Sequence, residues 1–268
     1  MRHAIYLAVG GLVLAGAVEA VRGGQREATA RVLLGPALIA PDERGVSVFW
    51  HLSAERDDHR VEHGDTAALG RTATLAARTR SPCVRVAGLT PGSTVHYRVV
   101  SGEAASAVHA FRLPDPGRPF RLVVWADNQD GASVFAHRTV PTIRALSPDL
   151  RLAAGDLVDD GGDEDDRGEQ LYGPARELLR SVPWLPARGN HDGESALARR
   201  LCPLPGDAGH CARTFGPLRV VVLDTNVAAG RGSAQLAWLE AEARSRARVD
   251  ARYRLVAFHH PPFTSLAF

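Results

Sequence analysis

A β-sandwich followed by an α/β layered unit is the architecture that this sequence of 268 residues predicts. Three observations carry the prediction. Between Arg31 and Pro114 the apolar residues alternate at period two over short runs, the pattern of half-buried strands. Asp115-Pro116-Gly117-Arg118-Pro119 then forms a stiff polar break. Beyond it, short apolar runs alternate with helix-period segments, the order that builds a sheet with helices on its faces. With 45% hydrophobic and 23% charged residues, the composition is that of a folded chain with a sizeable core, neither disordered nor membrane-spanning.

Taken in order, Met1-Arg2-His3 precedes an apolar run over residues 4–18 that is short for crossing a bilayer. Val18-Glu19-Ala20 follows with small residues at its first and last positions, which suits cleavage after Ala20. Residues 1–20 are therefore predicted to be a secretory signal, the competing reading being an uncleaved N-terminal anchor. The mature protein is expected to be secreted or periplasmic, with no stable membrane span after cleavage. Residues 21–30 are polar, rich in Arg and Gly, and read as a linker.

Domain one covers residues 31–114, with strands expected around Val46-Ser47-Val48-Phe49-Trp50, Cys83-Val84-Arg85-Val86, residues 95–100 and residues 108–111. Trp50 reads as core. Tyr97 follows the Pro91-Gly92 turn on a strand, a placement suited to a tyrosine corner. Domain two covers residues 119–268. Its strands are expected at 120–126, 150–154, 219–223 and 253–258. Helices are expected at 137–146, 173–179 and 233–246, the last with Leu236, Leu239 and Ala243 on one face.

Composition excludes several chemistries. The 32 basic and 30 acidic residues leave a net charge of +2, too balanced for an electrostatic grip on nucleic acid or an anionic membrane. All of the basic side chains other than histidine are Arg, which rules out Schiff-base catalysis and a phosphate-loop lysine. Three cysteines are too few for a disulfide scaffold. Export would permit a Cys202–Cys211 disulfide across a short loop, free thiols being the alternative, and Cys83 reads as a small buried hydrophobe.

The chemistry gathers at strand ends. Four apolar runs lead into Asp127, Asp156, Asn190-His191-Asp192 and His259-His260. In open α/β sheets such ends converge on one crevice. Carboxylates, an amide oxygen and imidazoles are a ligand set for Zn, Mn or Fe rather than Ca. A carboxylate with ligands on both sides can bridge two cations that clamp a phosphoryl group. The acidic run at 159–166 lacks the spacing of a calcium loop and reads as solvated.

Asp127-Asn128-Gln129, Gly155-Asp156-Leu157-Val158-Asp159, Gly189-Asn190-His191-Asp192 and His259-His260-Pro261-Pro262 resemble consecutive blocks of the calcineurin-like metallophosphoesterases. The stretch Leu89-Thr90-Pro91-Gly92 to Val99 resembles the end of a fibronectin type III domain of the kind that precedes the catalytic domain in purple acid phosphatases. The resemblance implies an αββα-type layered catalytic domain, two divalent or trivalent ions (Fe, Mn or Zn) and a phosphomonoester or phosphodiester substrate. It assigns Asp127 and Gln129 to the first metal, Asp156 to the bridge, and Asn190 and His259 to the second metal. His191 falls at the histidine that steadies the phosphate or protonates the leaving group. Asp159, Arg188, Asp192 and His260 are candidates for supporting the ligands or touching substrate, a salt bridge being the alternative for Arg188; Asp224 is expected to be structural.

Three departures accompany the match. Gln129 stands where the family has an imidazole. Val158 and Asp159 occupy the place of the iron-binding tyrosinate, so a colourless protein is expected. The family's closing Gly-His-x-His block does not follow His260, which leads to the expectation of a C-terminally truncated chain. The alternative function is a catalytically silent relative that binds phosphate or a partner.

Overall fold

A computed structural model describes residues 29–203 and 209–263; the predicted signal and most of the predicted linker lie outside them. The N-terminal unit contains Val32–Asp42 (β1), Gly45–Leu52 (β2), His59–Gly64 (β3), Arg71–Leu75 (β4), Cys83–Ala87 (β5), Thr94–Ser101 (β6), Ala104–Ala105 (β7) and His109–Arg112 (β8). Strands β5-β2-β1 lie in one layer and β4-β3-β6 in the other, with β7 and β8 both beside β6. Between the layers pack Leu38, Val48, Trp50, Val61, Tyr97 and Phe111. Trp50 Nε1 finds a buried acceptor in Ser101 Oγ at 3.0 Å, as a buried indole must.

Tyr97 is buried in this core but makes no tyrosine corner. Its hydroxyl donates to the Arg180 carbonyl at 2.8 Å, in the last turn of the helix Arg176–Ser181. The final carbonyls of a helix lack intrahelical donors, so a sandwich tyrosine caps a helix of the second unit.

The second unit adds Leu122–Trp125 (β9), Leu150–Ala154 (β10) and Trp184–Ala187 (β11), all parallel. β1 joins them by pairing in parallel with β11 at Ile39↔Trp184, giving one six-stranded sheet in the order β5-β2-β1-β11-β10-β9. The polar break at 115–119 thus separates sequence patterns but not sheets. Leu34, Ile39 and Phe49 share a core with Leu157, Tyr172 and Trp184. Cys211–Phe215 (β12), Leu218–Val222 (β13) and Tyr253–Ala257 (β14) form a second sheet. It packs Phe215, Val220 and Val222 against Leu150, Leu152 and Leu185 of the first.

Two helical segments carry a π turn. Ala132–Val134 runs through Phe135–Thr139 into Val140–Leu146, burying Phe135, Val140 and Ile143. Ser147 then stops it in the left-handed conformation before Pro148. Glu164–Asp166 continues as the π turn Arg167–Tyr172. The helix Ala234–Ala243 departs from the expected apolar face: Gln235 and Glu242 are its buried residues, whereas Ala243 is exposed. Glu242 accepts two bonds from Arg219 at 2.8 Å each, and Gln235 bonds the Asp224 backbone. Paired polar groups, not apolar spacing, orient this helix.

The predicted Cys202–Cys211 bridge does not form. Both thiols are free and buried, Cys202 in the core under β1 and β11 and Cys211 between the two sheets. Burial pushes them, and Cys83, up to about 11, the inert end of thiol behaviour.

Burial also holds His51, His63 and His109 of the sandwich below their ordinary value of 6.5. The unfolded chain then binds more protons than the folded one, so their contribution is complete above about 6.5 and is lost as pH falls through the depressed folded values. The urea midpoint should hold between pH 8 and 7 and drop from 6.5 to 5.5. A flat profile would contradict this burial.

Candidate metal centre

The centre sits where β9, β10 and β14 end. Asp127 and Asp156 both follow strands in left-handed conformations, φ 55° and 51°, which are costly outside glycine and concentrate at functional turns. Backbone bonds tie the two turns: Asp127 N to the Gly155 carbonyl at 3.1 Å and Asn128 N to the Asp156 carbonyl at 3.0 Å. The close approach requires glycine twice. A Cβ on Gly155 would lie 2.7 Å from His259 Nδ1, and one on Gly189 would lie 2.1 Å from Asp156 Oδ1.

One ligand atom each from Asp127, Asp156 and His259 falls within 4.8 Å of the others. His259 Nδ1 lies 3.0 Å from the Ala154 carbonyl. A carbonyl only accepts, so Nδ1 carries a proton, and in the neutral ring the Nε2 lone pair is free for a metal. That nitrogen faces Asp156 Oδ2 at 3.2 Å: in the neutral ring, two lone-pair atoms meet with no proton between them, an arrangement that a cation relieves. Gln129 Nε2 donates to the same oxygen at 3.1 Å, while its Oε1 is buried without a hydrogen-bond partner. The donor set and this orphaned acceptor fit a metal ion.

Asn190 and His191 face the same cleft of about 780 Å³, which Asp127, Gln129, Asp156, His259 and His260 also line. His260 Nε2 contacts Asn190 Oδ1 at 3.0 Å and its Nδ1 contacts Thr225 Oγ1 at 2.9 Å. The amide oxygen must accept, so Nε2 donates and Nδ1 takes the threonine proton. His191 N donates to Asp156 Oδ1 at 2.9 Å. The exposed His191 ring places Nδ1 3.0 Å from the Asp159 carbonyl. That carbonyl first, then the carboxylates of Asp156, Asp130 and Asp159, raises the His191 pKa above its ordinary value.

The remaining candidates stand behind the cleft. Asp192 is buried and accepts from Gly189 N, Leu157 N and Arg167 Nη1 at 2.9, 3.2 and 3.2 Å. Arg188 is buried and donates to Asp224 Oδ2 at 2.9 Å. Asn226 and Gln235 surround that pair. The Asp159 carboxylate takes Asp130 N at 2.6 Å and Gln170 Nε2 at 2.9 Å. The acidic run is likewise engaged with its own backbone. Asp160 accepts from Gly162 N, Asp163 caps Asp165 N and Asp166 N, and Asp166 accepts from Asp160 N.

Sequence reasoning passed over Arg167, which is fully buried and binds Asp192 Oδ1, the Asp192 carbonyl and the Gly161 carbonyl. Beside an acidic run it reads as solvated. Nor did it find Thr225 as the partner of His260, although Asp224-Thr225-Asn226 follows a strand at the same face.

Comparison with known proteins places this geometry. The family model for calcineurin-like phosphoesterases matches residues 120–267. A comparison with curated protein sequences gives no significant match. Among solved structures, a purple acid phosphatase isolated from yellow lupin (Lupinus luteus) seeds aligns with TM-score 0.67 at 16% identity, over 82% of this chain and 50% of that one. PhoD aligns with TM-score 0.59 at 15% identity, over 82% of this chain and 60% of that one. The chain thus spans half to three-fifths of the length of these two proteins, and at such identities the likeness is one of fold. With the family model matching more than half of its residues, the chain belongs to the calcineurin-like phosphoesterase family.

Proposed function

We propose that the chain is a metal-dependent hydrolase of phosphomonoesters or phosphodiesters, working with two ions of Fe, Mn or Zn. The observation that carries this reading is the convergence of Asp127, Asp156 and His259 within 4.8 Å. Asp127 and Gln129 would hold one ion, Asn190 and His259 the other, and Asp156 would bridge them. When bound, the ions supply charge neutralisation at the phosphoryl oxygens and an activated water.

The chain's own residues do the rest. Asp156 keeps Oδ1 on the His191 amide and turns Oδ2 to the cluster. The Ala154 carbonyl holds the His259 tautomer, and His260 holds the Asn190 amide. His191, exposed at the cleft with its Nδ1 hydrogen-bonded to a carbonyl, presents Nε2 as donor to a phosphoryl or leaving-group oxygen when the ring is protonated. Its raised pKa favours that form.

Release of phosphate or aryl alcohol from p-nitrophenyl phosphate or bis-p-nitrophenyl phosphate should disappear with chelation and return with Mn, Zn or Fe. His191→Ala should lower kcat roughly a hundredfold or more with metal content unchanged; metal lost in step with kcat would make His191 a ligand instead. The silent phosphate-binding reading is favoured by one observation, the neutral amide of Gln129 among the ligands. Metal-loaded chain that binds phosphate and turns over neither ester would establish it.

We further propose that the three-plus-five-stranded N-terminal sandwich is a fibronectin type III-like module and that the protein is exported. The apolar run after Arg2 supports export, and no helix among the described residues is long and apolar enough to cross a membrane. The intact mass recovered from an exporting host should correspond to loss of residues 1–20.

A further inference from the structure

The sandwich touches the loop behind the metal centre through one acidic side chain. Arg80, between β4 and β5, donates from Nη1 and Nη2 to the two carboxylate oxygens of Glu164 at 3.0 Å each. His51 Nε2 lies 3.3 Å from the same carboxylate. Both partners are held on their own side. Arg80 Nε donates to the Leu52 carbonyl at 3.0 Å, Leu52 N returns a bond to the Arg80 carbonyl at 2.7 Å, and His51 Nδ1 meets Ser81 Oγ at 2.7 Å. A paired fork of this kind fixes orientation as well as distance.

Glu164 opens the turn that leads into Arg167. Arg167 clamps the Gly161 and Asp192 carbonyls, and Gly161 N donates to the His191 carbonyl at 2.8 Å. The same loop carries the Asp159 carbonyl that receives His191 Nδ1. A chain of contacts therefore runs from Arg80 to Glu164, along the helical turn in which Arg167 N bonds the Glu164 carbonyl, and through the Arg167 side chain and Gly161 to His191. None of its links is a candidate metal ligand. We propose that Glu164 is a positioning residue through which the N-terminal sandwich sets the orientation of the His191 ring. The inference rests on His191 acting on substrate, as proposed above.

Glu164→Gln preserves shape and removes the charge that draws the Arg80 fork; Arg80→Ala removes the fork itself. With p-nitrophenyl phosphate and the metal that best supports the wild type, each should lower kcat about tenfold, since small misplacements of a reacting group are costly. KM should stay within about twofold and bound metal should not change, because substrate and ion contacts lie elsewhere. Unchanged kcat in both variants, or metal lost in proportion to kcat, would overturn the proposal. Amide hydrogen exchange separates this failure from failure of the phosphatase reading, because it needs no turnover. In Glu164→Gln, exchange should accelerate about tenfold at residues 159–163 and 189–193 alone, the signature of a local opening. No acceleration there, or acceleration spread through the sandwich, would overturn the coupling.

Discussion

Asp156→Asn should lower turnover of an aryl phosphate by on the order of a thousandfold or more while leaving the fold intact. The substitution is isosteric, and asparagine accepts the left-handed conformation that residue 156 adopts at least as well as aspartate does. Its amide oxygen can keep the bond from His191 N, and its NH2 group would then face the His259 Nε2 lone pair that Oδ2 now confronts. Without metal the variant should melt within about 2 °C of the wild type or above it, because one of two neighbouring carboxylates has been neutralised. What it loses is the negative charge that Asp156 brings to the cluster with Asp127 and His259. Unaltered turnover would remove Asp156 from the centre; a large drop in melting temperature would mean that the carboxylate is primarily structural.

Arg167→Ala should have the largest effect on stability, about 3–5 kcal/mol. The guanidinium is fully buried, and its partner Asp192 is nearly so. Removing the cation strands that carboxylate on two backbone N–H groups and frees the Gly161 and Asp192 carbonyls. A fall in melting temperature of roughly 10 °C or more is expected. Arg167→Lys should recover little, since one ammonium cannot span three acceptors spread over two loops. An unchanged melting temperature in Arg167→Ala would mean that the Asp192 carboxylate finds its charge balance elsewhere.

The candidate ligands were legible in the sequence because Asp127, Asp156 and His259 each follow an apolar run, and the strand ends of the two packed sheets open on one crevice. Asp127, Asp156 and His259 are some 30 to 130 positions apart along the chain, yet they needed no geometric guess beyond that rule. The joining of β1 to β11 was not legible. Period-two alternation reports which face of a strand is buried but not which neighbour completes its edge. β11 was read only as an apolar approach to Asn190 and not as a strand, because Trp184-Leu185-Pro186-Ala187 is short and holds a proline, which ordinarily argues against an interior strand.

Polar groups facing inward were hidden for a related reason. Gln235, Glu242 and Arg167 are buried only because Asp224, Arg219 and Asp192 meet them, and those partners lie 11 to 25 positions away. Tyr97 misled in the same way: its strand and its turn fit a corner, but an unsatisfied carbonyl at a helix end of the other unit took its hydroxyl. Local pattern identified residues that meet at the cleft. Long-range pairing decided what supports them.

The most direct test titrates metal into the chelated wild type and measures bound ions and phosphate release in the same samples. Release should be absent at zero bound metal, rise with occupancy and level off where binding levels off, with Asp156→Asn failing to follow. Turnover that persists without bound metal, or full occupancy with no turnover of either ester, would contradict a metal-dependent phosphoesterase built on Asp127, Asp156 and His259.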